Sequence, residues 1–164
     1  MDWTRDEFTA AVTQHAHRMF RAARSVLDCD ADAEDAAAQA VLQAWQSLDG
    51  LRDRNAVGPW LVKIAVNCAY AQRRRQGQVV YLEDLPREPA APAPARYDGL
   101  WEAVCTLPPE RRVVVALFYY EGLPVDEIAK VLGIPQGTVK SRLSRARKQL
   151  KAMLCDEEGN YGTV

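Results

Sequence analysis

Four of the nine prolines fall within the run Pro86-Arg87-Glu88-Pro89-Ala90-Ala91-Pro92-Ala93-Pro94. Proline fixes φ and lacks a backbone N–H, so neither a helix interior nor a central strand can pass through this run. Pro/Ala-rich chain is semi-rigid and extended, at about 3.1 Å per residue, so residues 78–99 can hold two units tens of ångströms apart. The chain therefore reads as two small domains, residues 1–77 and 100–155, on a linker at 78–99, with a tail at 156–164. A length of 164 residues, 48% apolar and 26% charged, suits a globular chain divided this way.

Both halves read as helical, which makes the expected fold all-α. Thr4-x-x-Glu7 is a capping box, and Phe8, Val12, Ala16, Met19, Ala23 and Val26 follow with a period near 3.6. A second helix is expected to start at Asp32, with Glu34 and Asp35 in its first turn and Ala37, Val41, Ala44 and Leu48 as its apolar stripe; Gly50 closes it. A third begins near Pro59 and runs through Trp60, Leu61, Ile64, Ala65 and Cys68 to Arg73, Arg74 and Arg75. Beyond the linker, the spacing predicts a short helix over 97–106 and another opened by Pro108-Pro109-Glu110 and stopped at Gly122. A pair follows, Pro124 to Leu132 and Gln136 onward, separated by Gly133-Ile134-Pro135. The nearest approach to a strand is the short Gln78-Val79-Val80-Tyr81-Leu82.

Several function classes lack the residues they need. Cys29, Cys68, Cys105 and Cys155 stand far apart with no Cys-x-x-Cys pair, so they read as reduced thiols, and neither a metal site nor a cofactor is expected. His15 and His17 are two apart on a helix and cannot face one metal. No glycine-rich phosphate loop, nucleophile elbow or His-Glu-x-x-His is present, so nothing points to an enzyme or a small-molecule substrate. The amino terminus has neither the basic start nor the apolar core of a signal peptide, and no apolar run approaches the roughly 20 residues of a membrane span; the expected location is the cytoplasm.

The net charge is −1, so any contact with nucleic acid has to be a local patch. Such a patch exists. Two short amphipathic helices on a three-residue turn containing glycine form the helix-turn-helix pattern, whose second helix enters the major groove. From Gly137 to Met153 that helix carries Lys140, Arg142, Arg145, Arg147, Lys148 and Lys151 and no acid. Solvated helices usually mix signs to gain i,i+4 pairs, whereas a one-sign face suits a polyanion. With Val139, Leu143 and Ala146 turned inward, Gln136, Thr138, Lys140, Ser141, Ser144 and Arg145 face outward. These are types that read base edges, while Arg147 and Lys148 suit phosphates.

At this point particular residues carry a resemblance. Leu107-Pro108-Pro109-Glu110-Arg111-Arg112, Tyr119-Tyr120-Glu121-Gly122, Glu127-Ile128-Ala129 and the run from Leu132 to Arg147 closely resemble the carboxy-terminal domain of bacterial extracytoplasmic-function sigma factors. The resemblance implies a domain that binds the minus-35 promoter element and rests on the flap of the RNA polymerase beta subunit, with Thr138, Lys140, Ser141, Arg142 and Arg145 reading the promoter. Asp32-Ala33-Glu34-Asp35, Leu42, Trp45, Trp60-Leu61, Ile64-Ala65, Asn67 and the arginines at 73–75 resemble the amino-terminal sigma domain. Here the resemblance implies that Asp32, Glu34, Asp35, Gln39, Leu42 and Trp45 meet the beta-prime clamp, and that Lys63, Asn67, Tyr70, Arg73, Arg74 and Arg75 capture the minus-10 element. Aromatic and amide groups beside arginines suit unpaired bases and single-strand phosphates. Two departures stand out: Ala36-Ala37-Ala38-Gln39 where the family typically has Leu-Val-Gln-Glu, and Ala71 where it has aspartate.

The expected function is thus that of a sigma factor: binding core RNA polymerase, recognising minus-10 and minus-35 elements and promoting DNA melting. The resemblance further implies a linker threaded through polymerase channels and an anti-sigma partner, often membrane-anchored. The alternatives are a stand-alone helix-turn-helix regulator, which would usually need a dimer to read two half-sites, and a protein-docking adaptor whose basic helix is merely solvated.

Overall fold

The computed structural model describes residues 2–78 and 99–158, and the chain divides into two compact units, Met1–Ala93 and Pro94–Val164. Residues 79–98 and 159–164, which include most of the expected linker, the Val79–Leu82 run and the end of the tail, lie outside the described residues. Among the described residues there are seven α-helices and no strand.

The first unit holds α1 (Arg5–Val26), α2 (Asp30–Gln46) and α3 (Val57–Gln78), with short 3-10 turns at Leu48–Gly50 and Arg54–Ala56. Helix α1 starts where the capping box places it: the Thr4 hydroxyl accepts from the Glu7 amide at 3.2 Å, and the Glu7 carboxylate accepts from the Thr4 amide at 2.8 Å. Its inner face is Phe8, Ala11, Met19, Ala22, Ala23 and Val26, while Ala16, expected inside, is exposed because it lies about 80° around the helix from Phe8, beyond the edge of the buried stripe. Helix α2 begins two residues before the expected Asp32, on a Cys29 cap that offers no side-chain bond. Its stripe is Ala33, Ala36, Ala40 and Ala44 rather than the expected Ala37 and Val41, which are half-buried. It ends at Gln46, and Leu48 is buried from the 3-10 turn that follows. Phe8, Met19, Ala40, Ala44, Leu48, Leu61, Ile64, Ala65 and Cys68 form the core, with Trp3 and Trp60 packed on its edge.

The second unit holds α4 (Gly99–Cys105), α5 (Pro109–Val115), α6 (Val125–Leu132) and α7 (Gln136–Glu158). Pro109 opens α5 at a position where its missing N–H costs nothing. The helix widens after Val115 into a π segment, Ala116–Tyr120, where the Glu121 amide reaches back five residues to the Ala116 carbonyl at 3.0 Å. Gly133 ends α6 with φ +65, and the Ile134 amide closes that end on the Ala129 carbonyl at 3.1 Å. Trp101, Val104, Leu107, Val113–Leu117, Ile128, Val139, Leu143 and Ala146 are buried together. Helix α7 continues through Glu158, past the domain end expected at 155.

Candidate nucleic-acid interface

Helix α7 owes its orientation to Val139, Leu143 and Ala146, which are buried at one angular position and leave two flanks in solvent. At 3.6 residues per turn, Thr138, Ser141, Arg142 and Arg145 share the flank facing the start of α5. They line a polar recess of about 540 Å³ together with Glu110, Arg111, Pro135 and Gly137. Arg145 and Ser141 are exposed, and Thr138 and Arg142 are half-buried. The Ser141 hydroxyl donates to the Gly137 carbonyl at 2.9 Å, so its oxygen lone pairs remain directed outward. Gln136, Lys140, Ser144 and Lys148 are also exposed along the helix.

Arg147 goes elsewhere. Its charge suggests a phosphate contact, but the 3.6-residue period carries it to the other flank, where its Nε donates to the Tyr119 hydroxyl. Its guanidinium lies 5.9 Å from the centre of the Phe118 ring and 5.6 Å from that of Tyr119. With Leu100, Val104, Tyr119, Leu150 and Leu154 it lines an apolar groove of about 620 Å³. The π segment makes this contact possible: its wider turn presents Phe118 and Tyr119 side by side, the Tyr119 side 53% exposed. Two surfaces of different chemistry thus lie on opposite flanks of one helix. Arg111 in the polar recess is a residue that sequence reasoning missed; only its position one turn into α5, opposite α7, could have marked it.

In the first unit, Lys63, Asn67, Tyr70 and Arg74 follow one another at spacings of 4, 3 and 4 on the outer side of α3, with Lys63, Asn67 and Arg74 exposed. Arg73 turns away from them and donates to the Val26 carbonyl at 3.0 Å, tying α3 to the end of α1. Arg75 is exposed and near Cys68, whose thiol is pushed up by burial and opposed by that guanidinium. The loop before α3 is pinned by Arg54, which donates to the Glu7 carboxylate at 2.8 Å and to the Asp2 carbonyl at 3.2 Å and lies 4.7 Å over the Trp3 ring. The Arg54 bond, then the bonds from Thr4, hold the Glu7 carboxyl down to about 2.

On α2, Glu34, Asp35, Gln39, Leu42 and Trp45 are all exposed on the outer face. Leu42 is 60% and Trp45 46% exposed, large values for such side chains, although Trp45 keeps one contact with Phe8 at 5.1 Å between ring centres. Asp32 stands apart from this group. Its carboxylate accepts from Gln76 at 3.0 Å and its carbonyl from Gln72 at 3.2 Å, so it fastens α2 to α3. Of the two departures, Ala36 is buried against the neighbouring helices and Ala71 is half-buried on α3. No group of three or more His, Cys, Asp or Glu able to hold a metal occurs among the described residues, and no described helix is long and apolar enough to cross a membrane.

Comparison with known proteins places these surfaces in context. Residues 11–79 match the family described as Sigma-70 region 2, and residues 97–150 match Sigma-70, region 4. The chain is 34% identical over 154 residues to the ECF RNA polymerase sigma factor SigE of Mycolicibacterium smegmatis, covering 87% of this chain but 60% of that relative. It is 32% identical over 152 residues to the ECF RNA polymerase sigma factor SigM of Mycobacterium tuberculosis, covering 90% of this chain and 76% of the relative. Among solved structures, the sigma factor RpoE of Bartonella quintana, crystallised with the anti-sigma factor NepR, superposes with a TM-score of 0.70 at 25% identity, over 90% of this chain and 96% of that one. The two family matches, one per unit, together with relatives aligned across both, show that this chain belongs to the extracytoplasmic-function sigma factors of the sigma-70 family.

Proposed function

We propose that the chain is a dissociable initiation subunit that joins core RNA polymerase, reads minus-35 and minus-10 elements and helps open the DNA. The observation that carries this reading is α7, an acid-free cationic helix in the second position of a helix-turn-helix, in a chain whose other unit matches Sigma-70 region 2. The Thr138, Ser141, Arg142 and Arg145 flank meets the minus-35 major groove, whose width of about 12 Å admits a helix, and Gln136, Lys140, Ser144 and Lys148, exposed elsewhere around α7, contact the DNA beyond that flank. Lys63, Asn67, Tyr70 and Arg74 meet the minus-10 strand, where capture of an extruded base offsets an unstacking cost of a few kcal/mol and requires no catalytic residue. Leu42 and Trp45, ringed by Glu34, Asp35 and Gln39, form the core-polymerase contact: an apolar centre in an acidic rim suits a basic partner surface. The contact with the beta flap falls to the second unit. Because the RpoE relative was solved with an anti-sigma factor, an inhibitor of that kind is the expected resting-state partner.

Run-off transcription with purified core polymerase and genomic DNA fragments, with and without the chain, tests the reading. New discrete transcripts that depend on the chain are expected. Core binding without transcripts would refute promoter recognition, and specific binding of the chain to duplex DNA without polymerase would favour a stand-alone regulator.

A further inference from the structure

The polar recess beside α7 is built from two helices. On one wall stand Thr138, Ser141, Arg142 and Arg145; on the other, Glu110 and Arg111 from the first turn of α5. Arg111 is half-buried and held in place, its Nη1 donating to the Gln149 side chain of α7 at 2.7 Å. That bond uses one of five guanidinium N–H donors and leaves the rest of a planar fork beside the recess. No ion pair joins Arg111, Arg142 or Arg145 to Glu110 or to another acid among the described residues. Three arginines and the Thr138 hydroxyl therefore converge on one hollow with a single carboxylate at its edge, the Ser141 proton being engaged by the Gly137 carbonyl. Such a donor-rich, cation-rich hollow suits an oxyanion with several acceptor oxygens.

We propose that Arg111 grips a phosphate of the DNA backbone, opposite Arg142 across the recess, and so fixes the seating of α7 in the groove. This rests on the promoter-binding reading above. A recognition helix alone can rock in the major groove, and contacts from a second element set its register without carrying sequence information. Arg111 is thus a positioning residue for promoter recognition, set by Gln149 and acting through charge. Lys148 and Lys140, on longer free stems, supply attraction without such a fixed direction.

The test uses holoenzyme assembled from the full chain and core polymerase, on a promoter fragment recovered by run-off transcription, with affinity measured across a salt series. Arg111→Ala is expected to bind about tenfold more weakly and to lower the slope of log K against log salt by about 0.9, the loss of one phosphate contact. Arg111→Lys should keep the slope and recover part of the affinity. Gln149→Ala, which removes the anchor but no charge, should keep the slope as well, and thermal melts confirm that each variant folds. Inorganic phosphate at matched ionic strength separates the sources of the oxyanion: competition no stronger than chloride is expected, whereas strong competition would make the recess a free-phosphate site and overturn the proposal. Normal wild-type binding with an unchanged slope in Arg111→Ala would overturn it while leaving promoter binding intact. A wild-type holoenzyme that binds no promoter would remove the reading and the proposal together.

Discussion

Replacing Arg147 with alanine separates structure from DNA contact on a helix where both look alike in sequence. The wild-type side chain donates to Tyr119 and lies 5.9 Å and 5.6 Å from two ring centres. A cation over aromatic rings at an exposed site contributes about 0.5–1 kcal/mol, and a net hydrogen bond about 1 kcal/mol, discounted for its exposure. The variant should therefore lose about 1–2 kcal/mol from the second unit. For a unit of this size that lowers its Tm by roughly 5–15 °C. The assay is thermal unfolding of the full chain beside Arg145→Ala, with the salt slope of holoenzyme binding measured on both. Arg145→Ala should keep its Tm and bind the promoter about tenfold more weakly; Arg147→Ala should lower the Tm and keep both affinity and slope. A double-mutant cycle with Tyr119→Phe isolates the hydrogen bond, and the coupling should be of order 0.5–1 kcal/mol. An unchanged Tm with a reduced slope in Arg147→Ala would refute the assignment of its side chain to the aromatic pair.

Gly133→Ala should destabilise the second unit by about 1 kcal/mol, read by denaturant or thermal melts: its φ of +65 disfavours a Cβ while the surrounding space is open, so the cost lies in the backbone alone. Glu7 sets a pH dependence of the first unit. Its folded pKa of about 2 lies below the ordinary 4.5, so its stabilising effect is complete above 4.5 and disappears as pH falls towards 2; Glu7→Gln should flatten that part of a stability–pH profile. Leu42→Ser should weaken binding to core polymerase at least tenfold in a competition assay without lowering the Tm, since Leu42 is 60% exposed, whereas Trp45→Ser should weaken binding and also lower the Tm by removing the ring contact with Phe8. Asp32→Ala should instead lower the Tm by removing the acceptor for Gln76, while the Gln72 bond to the backbone carbonyl stays, with little effect on polymerase affinity.

The sequence made legible what depends on local rules. The Thr4 capping box, the Pro109 start and the Gly133 stop each follow from the chemistry of one or two residues, and each stands where those residues place it. What depends on neighbours was not legible. Alanine counts as neither clearly apolar nor polar, so in the run Ala36-Ala37-Ala38 only packing against α1 and α3 decides that Ala36 goes inside. Long helices hide a second ambiguity, since arginines at 145 and 147 share a charge pattern but face opposite flanks. Type and place make Arg73 and Asp32 look like contact residues, but they do not reveal that a neighbouring helix offers each a partner: Arg73, though exposed, donates to the Val26 carbonyl, and Asp32 accepts from Gln76. Arg111 escaped notice because its role depends on α5 lying beside α7, a long-range fact that no local pattern encodes.

The alanines on the inner face of α2 have a consequence for how sharply its outer face is presented. Ala33, Ala36, Ala40 and Ala44 are almost completely enclosed, and none has a rotamer to choose or to lose on folding. The helix therefore brings its backbone close to the side chains it faces, Phe8 and Met19 of α1 and Leu61 and Ile64 of α3, with no long side chain of its own between. Any enlargement on that side would press on Phe8, Met19, Leu61 or Ile64 in a packed core and displace the helix. Leu42 and Trp45 are carried on a support held by close packing and by the Asp32 bonds to α3, and variation along α2 is channelled to the solvent side, where partner choice can change without disturbing the seat.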